Sequence, residues 1–227
     1  MDLFDVIGPV MVGPSSSHTA GAARIGKITR RLLGCKPVRA RIGLYGSFQK
    51  TYLGHGTDKA LVGGLLGMNV DDLRLRNSLE IARQEGLEYS FYPAELRHAH
   101  PNTVVLEVEG EDGRQLTVQA SSVGGGEIRV NAIDGLEAGF SGHENTIVLT
   151  YADTRGMIAA ISKQVSEAHL NIATMRVFRD TQGGKAIMAL ELDGEAPKEL
   201  LRALSHLRDV YRVAYLPAAE ESTSCEP

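Results

Sequence analysis

The last third of the chain most restricts the possible folds, because its apolar positions change period in a fixed order. Alternating residues mark a strand over Thr146–Tyr151, helical spacing follows over Gly156–Ala168, and strand-like runs at Ile172–Arg179 and Lys185–Leu192 flank the turn Gln182-Gly183-Gly184. Helical spacing returns over Pro197–His206, and a last strand covers Val210–Tyr215. A βαββαβ order of this kind folds as a ferredoxin-like unit, with its helices on one face of an antiparallel sheet.

Such a unit uses only part of the 227 residues, and chains of this length split readily into domains of roughly 100 to 200 residues. A second domain is therefore expected upstream. Ala22, Ile25, Ile28, Leu32 and Leu33 recur at helical spacing between Ser17 and Leu33, with serines before them and Gly34 after. A strand follows at Val38–Tyr45, then a Gly-rich connection, a helix at Thr57–Leu66 stopped by Gly67, and a short helix at Ser78–Gln84. Leu87–Tyr92, Thr103–Glu109, Gln115–Ser122 and Glu127–Ile133 read as strands, with Glu111-Asp112-Gly113-Arg114 as a hairpin turn. Small and polar residues from Gly135 to Glu144 read as a connection. The expected architecture is α+β: a mixed α/β domain over residues 1–137, a linker over 138–144, the ferredoxin-like domain over 145–217 and a polar, disordered tail over 218–227.

A net charge of −4 and the lack of any basic run longer than Arg30-Arg31 give no attraction to nucleic acid or anionic lipid. The acidic start and the breaks at Gly8-Pro9 and Gly13-Pro14 leave no apolar stretch of signal or membrane-spanning length, so a cytoplasmic protein is expected. Two cysteines, Cys35 and Cys225, exclude a disulfide framework. They also cannot supply the three or four thiolates of an iron–sulfur cluster from one copy of the chain. Cys35 is expected to be a small buried apolar residue, and Cys225 an inert one in the tail.

Four segments carry chemistry. In Gly13-Pro14-Ser15-Ser16-Ser17-His18-Thr19, a pinned backbone leads three hydroxyls into a helix N-terminus, a setting for a carboxylate or phosphate beside a titratable imidazole. The overlapping Gly21-Ala22-Ala23-Arg24-Ile25-Gly26-Lys27 mimics a phosphate-binding loop, but Ile28 stands where Ser or Thr is needed and the segment lies within a helix. Gly54-His55-Gly56-Thr57-Asp58-Lys59 allows close approach to His55, with Thr57 or Asp58 placed to cap the next helix. His98-Ala99-His100-Pro101-Asn102-Thr103 offers imidazoles and an amide before a strand, too few ligands for a metal site of its own. Ser121-Ser122-Val123-Gly124-Gly125-Gly126 reads equally as an anion-binding nest or a flexible turn.

Together, Val12–Gly21, Leu44-Tyr45-Gly46-Ser47-Phe48 with Gly54–Lys59, His100–Thr103 and Ser122–Gly126 resemble the beta chain of two-subunit bacterial L-serine dehydratases. The C-terminal part resembles an ACT domain through Asp153-Thr154-Arg155-Gly156, Asn171-Ile172 and Met175-Arg176. Arg155 stands where that family usually has proline. The resemblance implies that L-serine loses water and then ammonia to give pyruvate. It further implies a 4Fe-4S cluster, ligated by a partner alpha chain, whose unique iron acts on the leaving hydroxyl.

On this basis Ser15, Ser16, Ser17 and Thr19 are expected to bind the substrate carboxylate, with Thr57, Asp58, His100 and Asn102 as further substrate contacts. His55 and His18 are the candidates for proton transfer, His55 ahead of His18. No metal ligand is expected in this chain. Asp153, Gly156, Met157, Asn171 and Ile172 are expected to bind an amino-acid effector, in a homodimer formed through the ACT sheet. The competing reading is a purely regulatory subunit that senses ligands and contributes no catalytic residue.

Overall fold

The structure is a computed structural model that describes residues 11–218. The chain divides into two compact units, the second beginning at Gly135. In the first, a π-turn at Ser16–Ala20 runs straight into α1 (Gly21–Leu33). Then come β1 (Pro37–Leu44), α2 (Ser47–His55), α3 (Thr57–Leu65), a 3₁₀ turn at Leu73–Asn77 and α4 (Ser78–Gln84). Strands β2 (Glu88–Pro93), β3 (Thr103–Gly110), β4 (Gln115–Gly124) and β5 (Glu127–Ile133) follow. Their sheet has the order β2-β1-β3-β4-β5. β1 runs parallel to β2, which the helical crossover between them permits, and antiparallel to β3.

Alternation decides which sheet face is packed. Val104, Leu106 and Val108 of β3 are buried. Glu107 and Glu109 project from the opposite face, where Arg41 reaches Glu107 at 2.9 Å and Arg39 reaches Glu109 at 3.0 Å. Helix α1 buries Ala22, Ile25, Leu32 and Leu33, and α3 buries Leu61, Val62 and Leu65. These two helices touch through backbone. A Cβ on Gly64 would lie 2.2 Å from the carbonyl oxygen of Ala23, and one on Gly26 would lie 2.3 Å from that of Leu61. No side chain can rotate away to relieve either contact, so both positions require glycine.

The second unit contains β6 (Leu136–Phe140), β7 (Asn145–Ala152), α5 (Met157–Glu167), β8 (Ile172–Arg179), β9 (Lys185–Leu192), α6 (Lys198–Ser205) and β10 (Val210–Leu216). Its sheet order is β10-β7-β9-β8, and every pairing is antiparallel. This is the expected ferredoxin-like arrangement. Ile147, Leu149 and Tyr151 of β7 pack with Ile161, Val165, Met188, Leu190, Leu200 and Leu204 as its core.

Four expectations change. The helix expected from Ser17 opens as a π-turn, closed by a bond from the Gly21 N–H to the Ser16 carbonyl, a widening that apolar spacing does not register. The expected Gly-rich connection contains helix α2, which buries only Phe48 and so shows no apolar stripe. The expected linker over 138–144 contains the end of β6, whose Ala138 and Phe140 are buried, so the first unit ends at Asp134 rather than at residue 137. Gly56, not Thr57 or Asp58, caps α3: its φ of 67° lets it close α2 and open α3 at once, leaving Thr57 as the first helical residue. Ala218 is held by a bond from its N–H to Asn145 Oδ1, while the rest of the expected tail, with Cys225, lies outside the described residues.

Gly64→Ala should overpack the α1–α3 crossing and cost about 1–3 kcal/mol. A lowered urea midpoint for the first unit, with an unchanged midpoint for the second, is the expected result.

Candidate functional site

All four motif segments meet at the end of the first sheet where β1 and β4 finish and β3 begins. The chain is stitched there by backbone bonds: Tyr45 N–H to Thr103 O at 3.0 Å, Ser47 N–H to Pro101 O at 2.8 Å, and Ser122 N–H to Asn102 O at 3.0 Å. Glycines let the segments approach. A Cβ on Gly46 would lie 2.5 Å from the Pro101 carbonyl oxygen, and one on Gly21 would lie 2.2 Å from Ser122 Oγ.

The serine turn sits above this seam. Ser15 is the N-cap: its Oγ accepts the His18 N–H at 3.2 Å and lies 3.4 Å from His18 Nδ1. Ser16 and Ser17 are half-buried. Thr19 is buried and donates its hydroxyl to the His55 carbonyl at 3.0 Å, tying the first motif to the second. His18 Nε2 lies 3.0 Å from Ser47 Oγ, and its ring packs edge-on against Phe48. The His18 and His55 rings stand with centroids 4.9 Å apart. Burial, and secondarily the neighbouring His55, push the His18 imidazole below its ordinary pKa, which favours the neutral ring.

Several polar atoms of the motif segments are buried without a hydrogen-bond partner: His55 Nδ1, Thr57 Oγ1, Asp58 Oδ1, Asn102 Oδ1 and Ser122 Oγ. Burial raises the Asp58 carboxyl above the usual range, against a smaller opposing pull from the Lys59 N–H and ammonium. Orphaned buried groups are costly and cluster where a ligand completes them. A cleft of about 740 Å³ opens alongside, lined by Gly13, Thr19, His55, Lys59, Asp71 and Arg76 among others. His100 is exposed and closes its own turn, Nδ1 accepting the Asn102 N–H at 3.2 Å, so it orients Asn102 rather than facing the two other imidazoles.

Sequence reasoning missed Ser47 as a site residue. Its signal was its position directly after Gly46 at a helix start. Gly124, Gly125 and Gly126 all have positive φ and form the β4–β5 hairpin turn, with the Gly126 carbonyl accepting from Arg24. Cys35 is half-buried rather than buried, and its thiol donates to Asp112 Oδ1 at 3.2 Å. Among the described residues no group of three or more His, Cys, Asp or Glu is placed to hold a metal, and no helix is long and apolar enough to cross a membrane.

The expected effector residues lie in the second unit. Asp153 Oδ2 accepts from Arg179 at 2.8 Å and from the Gly183 N–H at 3.1 Å, which hold the carboxyl below its usual pKa and brace the β8–β9 turn. Asn171 Nδ2 donates to Asp193 Oδ2 at 2.6 Å. Gly156 is exposed and opens α5 with no side-chain cap, while Met157 faces the core and Ile172 packs against it.

A family model for the serine dehydratase beta chain matches residues 1–87. The chain is 39% identical over 211 residues to a probable L-serine dehydratase beta chain of Bacillus subtilis, an alignment covering 93% of this chain and 96% of that one. It is 37% identical over 202 residues to the L-serine dehydratase beta chain of Peptoniphilus asaccharolyticus, covering 88% and 91% respectively. The chain belongs to the L-serine dehydratase beta-chain family. An L-serine dehydratase of Mycobacterium bovis is 27% identical over 92% of this chain, which spans 46% of that longer protein. Membership gives the clustered hydroxyls and imidazoles a lyase-type setting and bears out the family expected from the motifs.

A histidine whose folded pKa is depressed takes up its proton more readily when unfolded, so stability falls as pH drops through the unfolded value near 6.5 toward the lower folded value. Above that window His18 contributes nothing to the pH dependence. His18→Gln should therefore flatten part of the loss of stability on acidification, read from denaturant midpoints at pH 7.5 and pH 5.5.

Proposed function

We propose that this chain is the beta subunit of an enzyme that converts L-serine to pyruvate and ammonia in the cytoplasm, together with an alpha chain that ligates a 4Fe-4S cluster. The observation that carries the reading is the pair of imidazoles 4.9 Å apart beside the serine turn, one of them with a buried ring nitrogen left without a protein partner.

The residues divide the work. Ser16 and Ser17, with the open N–H groups of the turn they begin, grip the substrate carboxylate, and Ser15 holds the turn in shape. His55 takes the α-proton, because its Nδ1 is unengaged and a neutral imidazole is a competent base near pH 7. His18 has both ring nitrogens beside serine hydroxyls and serves as a fixed neutral neighbour. Thr57, Asp58 and Asn102 carry the unpaired oxygens suited to the substrate's ammonium and hydroxyl. Loss of the α-proton and of the β-hydroxyl as water leaves an enamine, which hydrolyses to pyruvate and ammonia.

The residues of this chain do not fit the cluster. Two cysteines are too few, and the described one keeps its thiol protonated, pushed up by burial and by its bond to Asp112. Its ligation therefore belongs to the alpha chain, and this chain acts on the carboxylate and α-proton. In the second unit, the uncapped start of α5 at Gly156 and the exposed Asn171 suit a small amino-acid effector bound in a homodimer.

An anaerobic assay of pyruvate from L-serine should give activity only when both chains are present. His55→Ala should lower that activity at least 100-fold. Full activity in the alpha chain alone would instead establish the purely regulatory reading.

A further inference from the structure

We propose that Ser47 is a further substrate-binding residue, a hydroxyl that accepts the proton-bearing nitrogen of His18 and donates its own O–H to the substrate carboxylate. The inference rests on the reading of the site as an L-serine site and adds a residue to it.

The donors and acceptors around His18 carry the argument. Ser15 Oγ accepts the His18 backbone N–H at 3.2 Å and lies 3.4 Å from Nδ1 of the same ring; in the proposed tautomer its hydroxyl proton goes to Nδ1. A neutral imidazole carries one ring proton, so with Nδ1 accepting, the proton sits on Nε2. Nε2 lies 3.0 Å from Ser47 Oγ. A serine oxygen that accepts one bond still has its O–H to give, and in that tautomer the Ser47 O–H is left for the substrate. Burial favours the neutral ring and with it this arrangement.

The hydroxyl is also held in place. Ser47 is the first residue of α2, its N–H bound to Pro101 O at 2.8 Å, and Gly46 before it presses against the same carbonyl group. The side chain is half-buried beside a ring whose centroid lies 4.9 Å from that of His55. A carboxylate has an oxygen for each of two donors, and here the serine turn offers one set while Ser47 offers the other across the His18 ring. A donor fixed before the substrate arrives loses little freedom on binding it.

Two measurements decide the matter. In the chain alone, nitrogen chemical shifts of His18 should show a single Nε2–H tautomer, lost in Ser47→Ala and kept in Ser47→Thr. In the reconstituted pair, Ser47→Ala should raise KM for L-serine about tenfold or more, as expected for losing a hydrogen bond to a charged group, with a smaller change in kcat and recovery in Ser47→Thr. An unchanged tautomer, or an unchanged KM in a variant with native circular dichroism, overturns the proposal. Absence of pyruvate from the wild-type pair would remove the functional reading instead, and the His18 spectrum would then decide the role of Ser47 by itself.

Discussion

The site depends on one backbone contact, the crossing of α1 and α3 at Gly26 and Gly64. Helix α1 begins at the serine turn and α3 begins just after His55. Because neither glycine has a Cβ, the helix axes come close enough for Thr19 to reach the His55 carbonyl. A side chain at either crossing point would force the helices apart and separate the serine turn from His55. The placement of the proposed site residues thus follows from a packing rule at a distance from them.

A second constraint acts within the site. Two imidazoles at this separation cannot both be charged without mutual repulsion, and burial already disfavours charge on His18. The geometry assigns different work to each ring: His18 is committed to Ser15 and Ser47, while His55 keeps an unengaged nitrogen. Pairs of like groups whose surroundings differ in this way divide catalytic roles between them.

The ferredoxin-like unit was legible in the sequence because each of its elements has its own period and a clear turn between neighbours. The first unit was legible where a helix buries a stripe, as α1 does, and opaque where it does not: α2 buries Phe48 alone. That gap hid Ser47. Position in sequence could not show that Gly56 ends one helix and begins the next, since the residue serves both through one left-handed conformation. The motif residues His18, His55 and Asn102 were readable by residue type, yet their differing partners emerged only from three-dimensional contacts. Asp153 was readable in the same way, but its carboxylate is engaged by Arg179 and Gly183.

Under the proposed function this chain is half of an active site, with grip and base on one side and the hydroxyl-leaving chemistry on the partner. Hydrogen–deuterium exchange of the reconstituted pair, with and without L-serine, tests that claim most directly. Protection by L-serine should appear in residues 13–19, 46–56 and 100–103 of this chain. Protection confined to residues 153–157 and 171–172 would contradict it and leave the chain a sensor alone.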